Sequence, residues 1–339
     1  MNPTTSSAIL KSFEPSLIPL NENLVAAVFP LMKIYPAEFC LRRAIADGLV
    51  RESTMVVESS SGTLALGLAI VCNWIGQPLT VVTDYACDDT LLRRLQDLGS
   101  RVERVTAPAA KGGYQRARLD RLHEICEENP DSWWLNQYDN PANAESYGPS
   151  AEQMARSLGQ IDCLVGPVGS GGSLCGIGRH LRSLFGDLRI IGIDTFNSVL
   201  FGQEDGQRSL RGLGNSLLPA NLDHTLVDEI HWLTAAEAYT ATRRLHRQST
   251  LFRGGTSGAA WLVAERYSRL HPDERVVCIM PDDGTRYTGD IYNDDYLNER
   301  QLWLDSLPAE PRLVGSPREA SPGWCAMHWG RRSWSEVME

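Results

Sequence analysis

Five short runs rich in β-branched residues recur along the chain, at Thr54–Glu58, Leu79–Thr83, Cys163–Val168, Ile190–Asp194 and Val276–Met280. They are mostly continuous stretches of hydrophobe, the pattern of strands covered on both faces. Among them lie Ala65–Trp74, Asp89–Leu98, Ala151–Leu158, Ile177–Phe185, Ala235–Gln248 and Ala259–Leu270, several with apolar residues three and four apart, as amphipathic helices require. Parallel strands cannot be joined by tight hairpins, so strand and helix alternating in this way predict an α/β fold. A chain of 339 residues, 42% of them hydrophobic, is long enough for two such domains.

The balance of charge narrows the ligands. With 42 acidic against 32 basic side chains the net charge is −10, which excludes binding to nucleic acid or anionic membrane through a general electrostatic field. Small molecules are the expected partners. No apolar stretch approaches the roughly 20 residues of a membrane span, and Met1 to Glu14 lack a basic-then-apolar leader, so a cytoplasmic location is expected. Cys40, Cys72, Cys87, Cys126, Cys163, Cys175, Cys278 and Cys325 form no CxxC pair and read as reduced, mostly buried thiols, with no metal site expected.

Three glycine-bearing turns follow strand-like segments and open helices. Val165-Gly-Pro-Val-Gly-Ser-Gly-Gly-Ser-Leu-Cys-Gly176 runs from an apolar strand into a turn where Gly169, Gly171 and Gly172 let backbone approach an anion. Ser170, Ser173 and the helix start supply donors and a favourable dipole, the makings of a phosphate cradle. Glu58-Ser-Ser-Ser-Gly-Thr63 offers hydroxyls and a glycine suited to a carboxylate, although a well-capped helix reads the same way. Gly254-Gly-Thr-Ser-Gly258 repeats the pattern. Arg211 and Arg253 offer contacts to a phosphate or carboxylate, with surface arginine the plainer reading.

Together these segments resemble the fold-type II family of pyridoxal 5′-phosphate (PLP) enzymes, the group of cysteine synthase, cystathionine β-synthase and serine dehydratases. The resemblance spans about Leu17 to Asn293. Gly169-Ser-Gly-Gly-Ser173 is similar to the family's phosphate loop, and Ser60-Ser-Gly-Thr63 to its substrate-carboxylate loop, usually Thr-Ser-Gly-Asn-Thr. Asn136-Gln-Tyr-Asp-Asn-Pro-Ala-Asn143 resembles a segment whose glutamine, here Gln137, lies near substrate. Pro281-Asp-Asp-Gly-Thr-Arg-Tyr287 resembles the Pro-x-x-Gly-x-Arg-Tyr signature beside the pyridine ring. The implied fold is two three-layer α/β/α domains of the tryptophan synthase β-subunit type. Residues 1–45 and 135–302 would form the larger, PLP-binding domain and 46–134 the smaller, mobile substrate-loop domain. Residues 303–339, with scattered prolines and Trp324, Trp329 and Trp334, read as an extension outside the catalytic core, loosely ordered or docked on its own domain or a partner.

The Schiff-base lysine admits two placements. Setting Cys40-Leu-Arg-Arg43 on the family's lysine motif puts Leu41 at the catalytic position and implies a non-catalytic relative. Setting Lys33-Ile-Tyr-Pro-Ala37 there needs no gap and leaves a full helix, Pro36 to Asp47, before the first strand, with Pro36 tolerated in its first turn. Lys33 is therefore the expected catalytic residue. The resemblance further implies cofactor contacts from Thr63, where the family has an asparagine, from Gly169 to Ser173, and from Asp283 at the pyridine nitrogen, with Asp282 the alternative one residue away. Ser60, Ser61, Gly62, Gln137 and Thr256 would bind substrate. The short region before Lys33 suggests that a strand usual in the family is missing.

The implied reaction is β-replacement on O-phosphoserine or O-acetylserine through an aminoacrylate, with Lys33 moving the proton. Asn197-Ser-Val-Leu-Phe-Gly202, Gly212-Leu-Gly-Asn-Ser216 and Glu58-Ser-Ser-Ser-Gly62 are similar to the branch that joins O-phosphoserine to an amino-acid amine, making precursors of 2,3-diaminopropionate. Cysteine synthase with sulfide as nucleophile is the alternative, and a homodimer is implied.

Overall fold

The computed structural model describes residues 11–338. In chain order its strands are β1 (Ser16–Pro19), β2 (Leu24–Val28), β3 (Met55–Ser59), β4 (Leu79–Thr83), β5 (Arg101–Arg104), β6 (Ser132–Trp134), β7 (Cys163–Pro167), β8 (Arg189–Thr195), β9 (Glu229–Leu233), β10 (Val276–Met280), β11 (Arg312–Leu313) and β12 (Cys325–His328). The helices are α1 (Ile34–Ala46), α2 (Thr63–Ile75), α3 (Asp89–Asp97), α4 (Gly113–Glu128), α5 (Ala142–Glu145), α6 (Gly148–Leu158), α7 (Gly172–Leu184), α8 (Ala235–Ser249), α9 (Gly255–Leu270), α10 (Asp294–Glu299) and α11 (Trp334–Met338). None of these is long and apolar enough to cross a membrane. The described residues divide into two compact units, 11–13 with 31–146 and 14–30 with 147–338.

The first unit is built on a parallel sheet in the order β5-β4-β3-β6. Every residue of β4 and all but the first of β3 are buried, as strands covered on both faces must be. Helix α1 turns Ile34, Ala37, Leu41 and Ala44, three and four apart, into a core shared with Leu64, Leu68 and Val71 of α2. Burying Ile34 and Leu41 contributes roughly 2 kcal/mol each. That stripe sets the unit's boundary: Lys33 and α1 belong with the smaller sheet, as does 135–146, whereas 1–45 and 135–302 were expected together.

The second unit carries an eight-stranded sheet in the order β1-β2-β10-β7-β8-β9-β12-β11. Its centre, β2, β10, β7, β8 and β9, is parallel, and β1 pairs antiparallel at one edge. The region before Lys33 therefore contains two strands, including the central-type Leu-Val-Ala-Ala-Val of β2, buried throughout. Its two alanines mask the β-branched signal. Nor is the C-terminal segment a loose extension: β12 pairs antiparallel with β9 and β11 extends that edge. All eight cysteines are unpaired thiols, and only Cys126 is not buried.

Candidate active site

In the first unit the candidate side chains gather where β3 ends and α2 begins. Lys33 caps the N-terminus of α1. A glycine in α2 lets that start come close, because a Cβ on Gly67 would stand 2.8 Å from the Lys33 carbonyl oxygen. Although the residue is only half-buried overall, its amine is desolvated, and burial lowers its pKa from 10.5 to about 8 against the opposing pull of Glu58 and Cys40. Leu41, the alternative lysine position, is wholly buried in the apolar face of α1.

Glu58, the fourth residue of β3, is 1% exposed, and burial raises its carboxyl from 4.5 to about 7. Its Oε1 accepts from the Ser59 amide at 2.7 Å and from Trp134 Nε1 at 3.3 Å. Oε2 has no hydrogen-bond partner among the described residues. Beyond it, the Ser60 hydroxyl accepts from the amides of Gly62 and Ala65, both at 3.2 Å, so this serine caps α2 as the plainer reading held. Gly62 is the N-cap position and Thr63 the first helical residue. Gln137 is buried and donates from Nε2 to the Ser59 carbonyl at 3.4 Å, beside the loop with which it was grouped.

Pattern reading missed Arg118. It lies in α4, is 8% exposed, and its Nη1 donates to Ser61 Oγ at 2.8 Å and to Asp84 Oδ2 at 2.5 Å. Its Nε has no hydrogen-bond partner among the described residues. A charged helix over Arg116–Glu128 was legible, but not which arginine faces inward. The signal was phase, since Arg118, Leu122 and Ile125 occupy one stripe at four- and three-residue spacing.

The second unit supplies the glycine loop. Val165–Pro167 of β7 lead into Gly169–Ser170, and Gly171 caps α7 at φ +78, without a side-chain cap on the helix amides. Those amides are the kind of donors an anion takes. A Cβ at Gly171 would lie 2.6 Å from the Leu222 Cα, so at its positive φ this position requires glycine, whereas one at Gly169 would stand a tight 3.3 Å from the Gly212 carbonyl oxygen. The turn after Arg211 closes on the loop: Gly214 donates to the Val168 carbonyl at 3.0 Å and Asn215 Nδ2 to the Gly169 carbonyl at 3.3 Å. Ser170 and Gly172 are buried, and Ser173 is half-buried. Thr256, also buried, faces the same turn, with its methyl 3.5 Å from where a Gly212 Cβ would be.

At the end of β10 the two neighbouring acids differ in their surroundings, and burial favours Asp282, the alternative, over Asp283. Asp283 is exposed, and its carboxylate accepts from the Thr285 amide at 2.7 Å, capping a turn. Asp282 is the inward acid, 6% exposed, with Oδ2 accepting from Tyr287 at 2.7 Å and Oδ1 lacking a hydrogen-bond partner among the described residues. Burial raises its pKa. Successive residues leaving a strand face opposite ways, so a one-residue register error exchanges the acid inside for the acid in solvent. Gly254 makes room for it, since a Cβ there would stand 2.7 Å from Oδ1. Neither Arg211 nor Arg253 is a free surface group: Arg253 is buried and donates to the Phe29 and Met280 carbonyls, and Arg211 pairs with Asp290 over the Tyr287 ring.

The family described as pyridoxal-phosphate dependent enzyme matches residues 32–282. The chain is 36% identical over 296 residues to N-(2-amino-2-carboxyethyl)-L-glutamate synthase of Cupriavidus metallidurans, covering 86% of each chain. It is 36% identical over 294 residues to the protein of that name from Ralstonia nicotianae, covering 86% of this chain and 85% of the other. Among solved structures it resembles a hydrogen sulfide-producing enzyme of Fusobacterium nucleatum, with TM-score 0.76, 22% identity, and 82% of this chain and 98% of the other covered. The O-acetylserine-dependent cystathionine β-synthase of Helicobacter pylori gives TM-score 0.75 at 24% identity, covering 82% and 96%. These structures share the fold.

Proposed function

The chain belongs to the family of pyridoxal-phosphate-dependent enzymes, and on that premise we propose that it catalyses β-replacement on an O-activated serine, with an amino-acid amine as nucleophile. The observation that carries the reading is 36% identity to two N-(2-amino-2-carboxyethyl)-L-glutamate synthases over 86% of the chain. PLP supplies an electron sink that acidifies the Cα–H of a bound amino acid, so that its β-substituent can leave. The residues fit such a group: an uncapped helix start behind Gly171 with no space for a Cβ suits the phosphate, and the unpaired Oδ1 of buried Asp282 suits a ring N–H.

The chain's own groups divide the remaining work. Lys33, with an amine pKa near 8, holds the cofactor covalently at rest and, when released, moves the proton at the substrate Cα. Ser60 to Thr63 and Gln137 bind the substrate carboxylate, and Thr256 contributes to the substrate side of the phosphate loop. Arg118, fixed by Asp84 and touching Ser61, supports O-phosphoserine over O-acetylserine as donor, because a guanidinium with an unused N–H favours a phosphate. The same reading carries a homodimer in the cytoplasm. Purified holoenzyme given O-phosphoserine with L-glutamate should release phosphate and form the condensed diamino acid, identified by mass spectrometry. Product from sulfide alone would replace this reading by cysteine synthase.

A further inference from the structure

The three tryptophans of the C-terminal segment lie outside the machinery above, yet Trp324 and Trp329 are buried in the second unit and Trp334 rests half-exposed against it. After β12, Trp329 turns inward with 0% exposure. Its amide donates to the Asp228 carbonyl at 3.0 Å and its Nε1 to the Arg332 carbonyl at 2.7 Å. Its indole meets Phe201 edge-on, with ring centres 5.1 Å apart at 88°, and lies 5.3 Å from the His224 ring. Trp334, on α11, comes within 5.3 Å of the same histidine. His224 is thus held by three aromatic rings, and its Nε2 is bonded to the Leu200 carbonyl at 2.8 Å.

His224 opens a single 3-10 turn capped by Asp223, and the residue before that cap is Leu222. The Leu222 backbone forms the wall against which Gly171 packs, since a Cβ there would lie 2.6 Å from the Leu222 Cα and 2.7 Å from its nitrogen. Asp223 ties the same stretch to α7: its amide donates to Cys175 Sγ at 3.4 Å and its carboxylate pairs with Arg179 at 3.0 Å. Segment 222–224 is therefore fastened to the helix behind the loop on one side and to the tail's rings on the other. A glycine loop has little conformational preference of its own, so the alignment of its amides depends on what stands against it.

We propose that the C-terminal segment is a positioning element for the glycine loop: Trp329 and Trp334 clamp His224, which fixes Leu222 against Gly171 and holds the loop's amides aligned for the cofactor phosphate. The proposal rests on the reading of Gly169–Ser173 as the phosphate site, and the test separates the two. Full-length parent, Trp329→Ala and Trp334→Ala are freed of cofactor, and dissociation constants are measured for PLP and for pyridoxal, which lacks the phosphate. In each variant PLP binding should weaken by about tenfold while pyridoxal binding changes by less than about twofold, the scale on which outer supports act on a bound group. The 31P resonance of bound PLP should move as well. Losing folded protein lowers both affinities alike, so an unchanged PLP-to-pyridoxal ratio overturns the proposal. If Trp329→Ala does not fold, Trp334→Ala, at the half-exposed outer ring, decides. A parent that binds pyridoxal as tightly as PLP would instead remove the phosphate-site reading.

Discussion

Replacing Glu58 by Gln should move the pH range over which Lys33 reacts, and the direction follows from two coupled groups. A lysine amine attacks the cofactor aldehyde only when uncharged. With its pKa lowered to about 8, chiefly by burial, roughly one Lys33 amine in ten is uncharged at pH 7, against about one in 3,000 for an ordinary lysine. Attachment of PLP to the cofactor-free chain should accelerate by about tenfold per pH unit below this value and level off above it. Glu58 opposes that depression, because its carboxylate favours the ammonium form. Glutamine keeps an oxygen for the Ser59 amide and Trp134 but carries no charge. The Lys33 pKa in Glu58→Gln should therefore fall by about one unit, the lower end of what a nearby opposite charge contributes, and the rate profile should move to lower pH by the same amount. Borohydride trapping followed by peptide mapping measures the attachment rate and reports the lysine used. A plateau only above pH 10, an unmoved midpoint in the variant, or an adduct on another lysine would each refute the reasoning.

Asp282→Asn should lower kcat by about tenfold with little change in KM, while Asp283→Asn stays within about twofold of parent; steady-state kinetics compares them, and equal effects would return the ring-facing role to neither acid. Gly67→Ala sets a helix-propensity gain of about 1 kcal/mol against a Cβ placed 2.8 Å from the Lys33 carbonyl oxygen. Overpacking onto backbone should win and lower stability in urea by about 1–2 kcal/mol, so a more stable variant contradicts the close approach of α1 and α2. Arg118→Met should raise KM for O-phosphoserine by more than about tenfold and leave that for O-acetylserine nearly unchanged, because only the former brings a phosphate to the guanidinium. Equal increases for both donors would make Arg118 a support of Ser61 alone.

The parallel centre of the larger sheet was legible because β7, β8 and β10 are dense in valine, isoleucine and leucine, and the glycine loops were legible because their chemistry is local. Gly171 needs its left-handed φ and Ser60 its capping hydroxyl whatever surrounds them. The strands that escaped notice lack such local marks. Helix-favouring alanines dilute β2, and β12 is Cys-Ala-Met-His, a sequence with weak strand preference that β9 makes into a strand by pairing Cys325 with Trp232 and His328 with Glu229. Its place between β9 and β11 is a tertiary fact.

The same distinction explains which candidate residues went unseen or were given second place, and it bears on where specificity resides. Glu58, Arg118 and Asp282 are charged side chains that composition assigns to a surface, yet each is less than a tenth exposed. What places them inside is tertiary position: one stripe of α4, a strand covered on both faces, one register step after β10. An uncompensated charge there is costly, so each is bonded to fixed neighbours, Glu58 to Ser59 and Trp134, Arg118 to Asp84 and Ser61, Asp282 to Tyr287. Each nonetheless keeps one polar atom without a hydrogen-bond partner among the described residues. Loops of glycine and serine can hold a phosphate or a carboxylate from many amino acids. A buried charge with one valence left over accepts far fewer ligands, because a substrate that leaves it unanswered forfeits the desolvation already incurred. Discrimination among donors and nucleophiles should accordingly change most when these three residues are altered, and least when the loop hydroxyls are exchanged for one another.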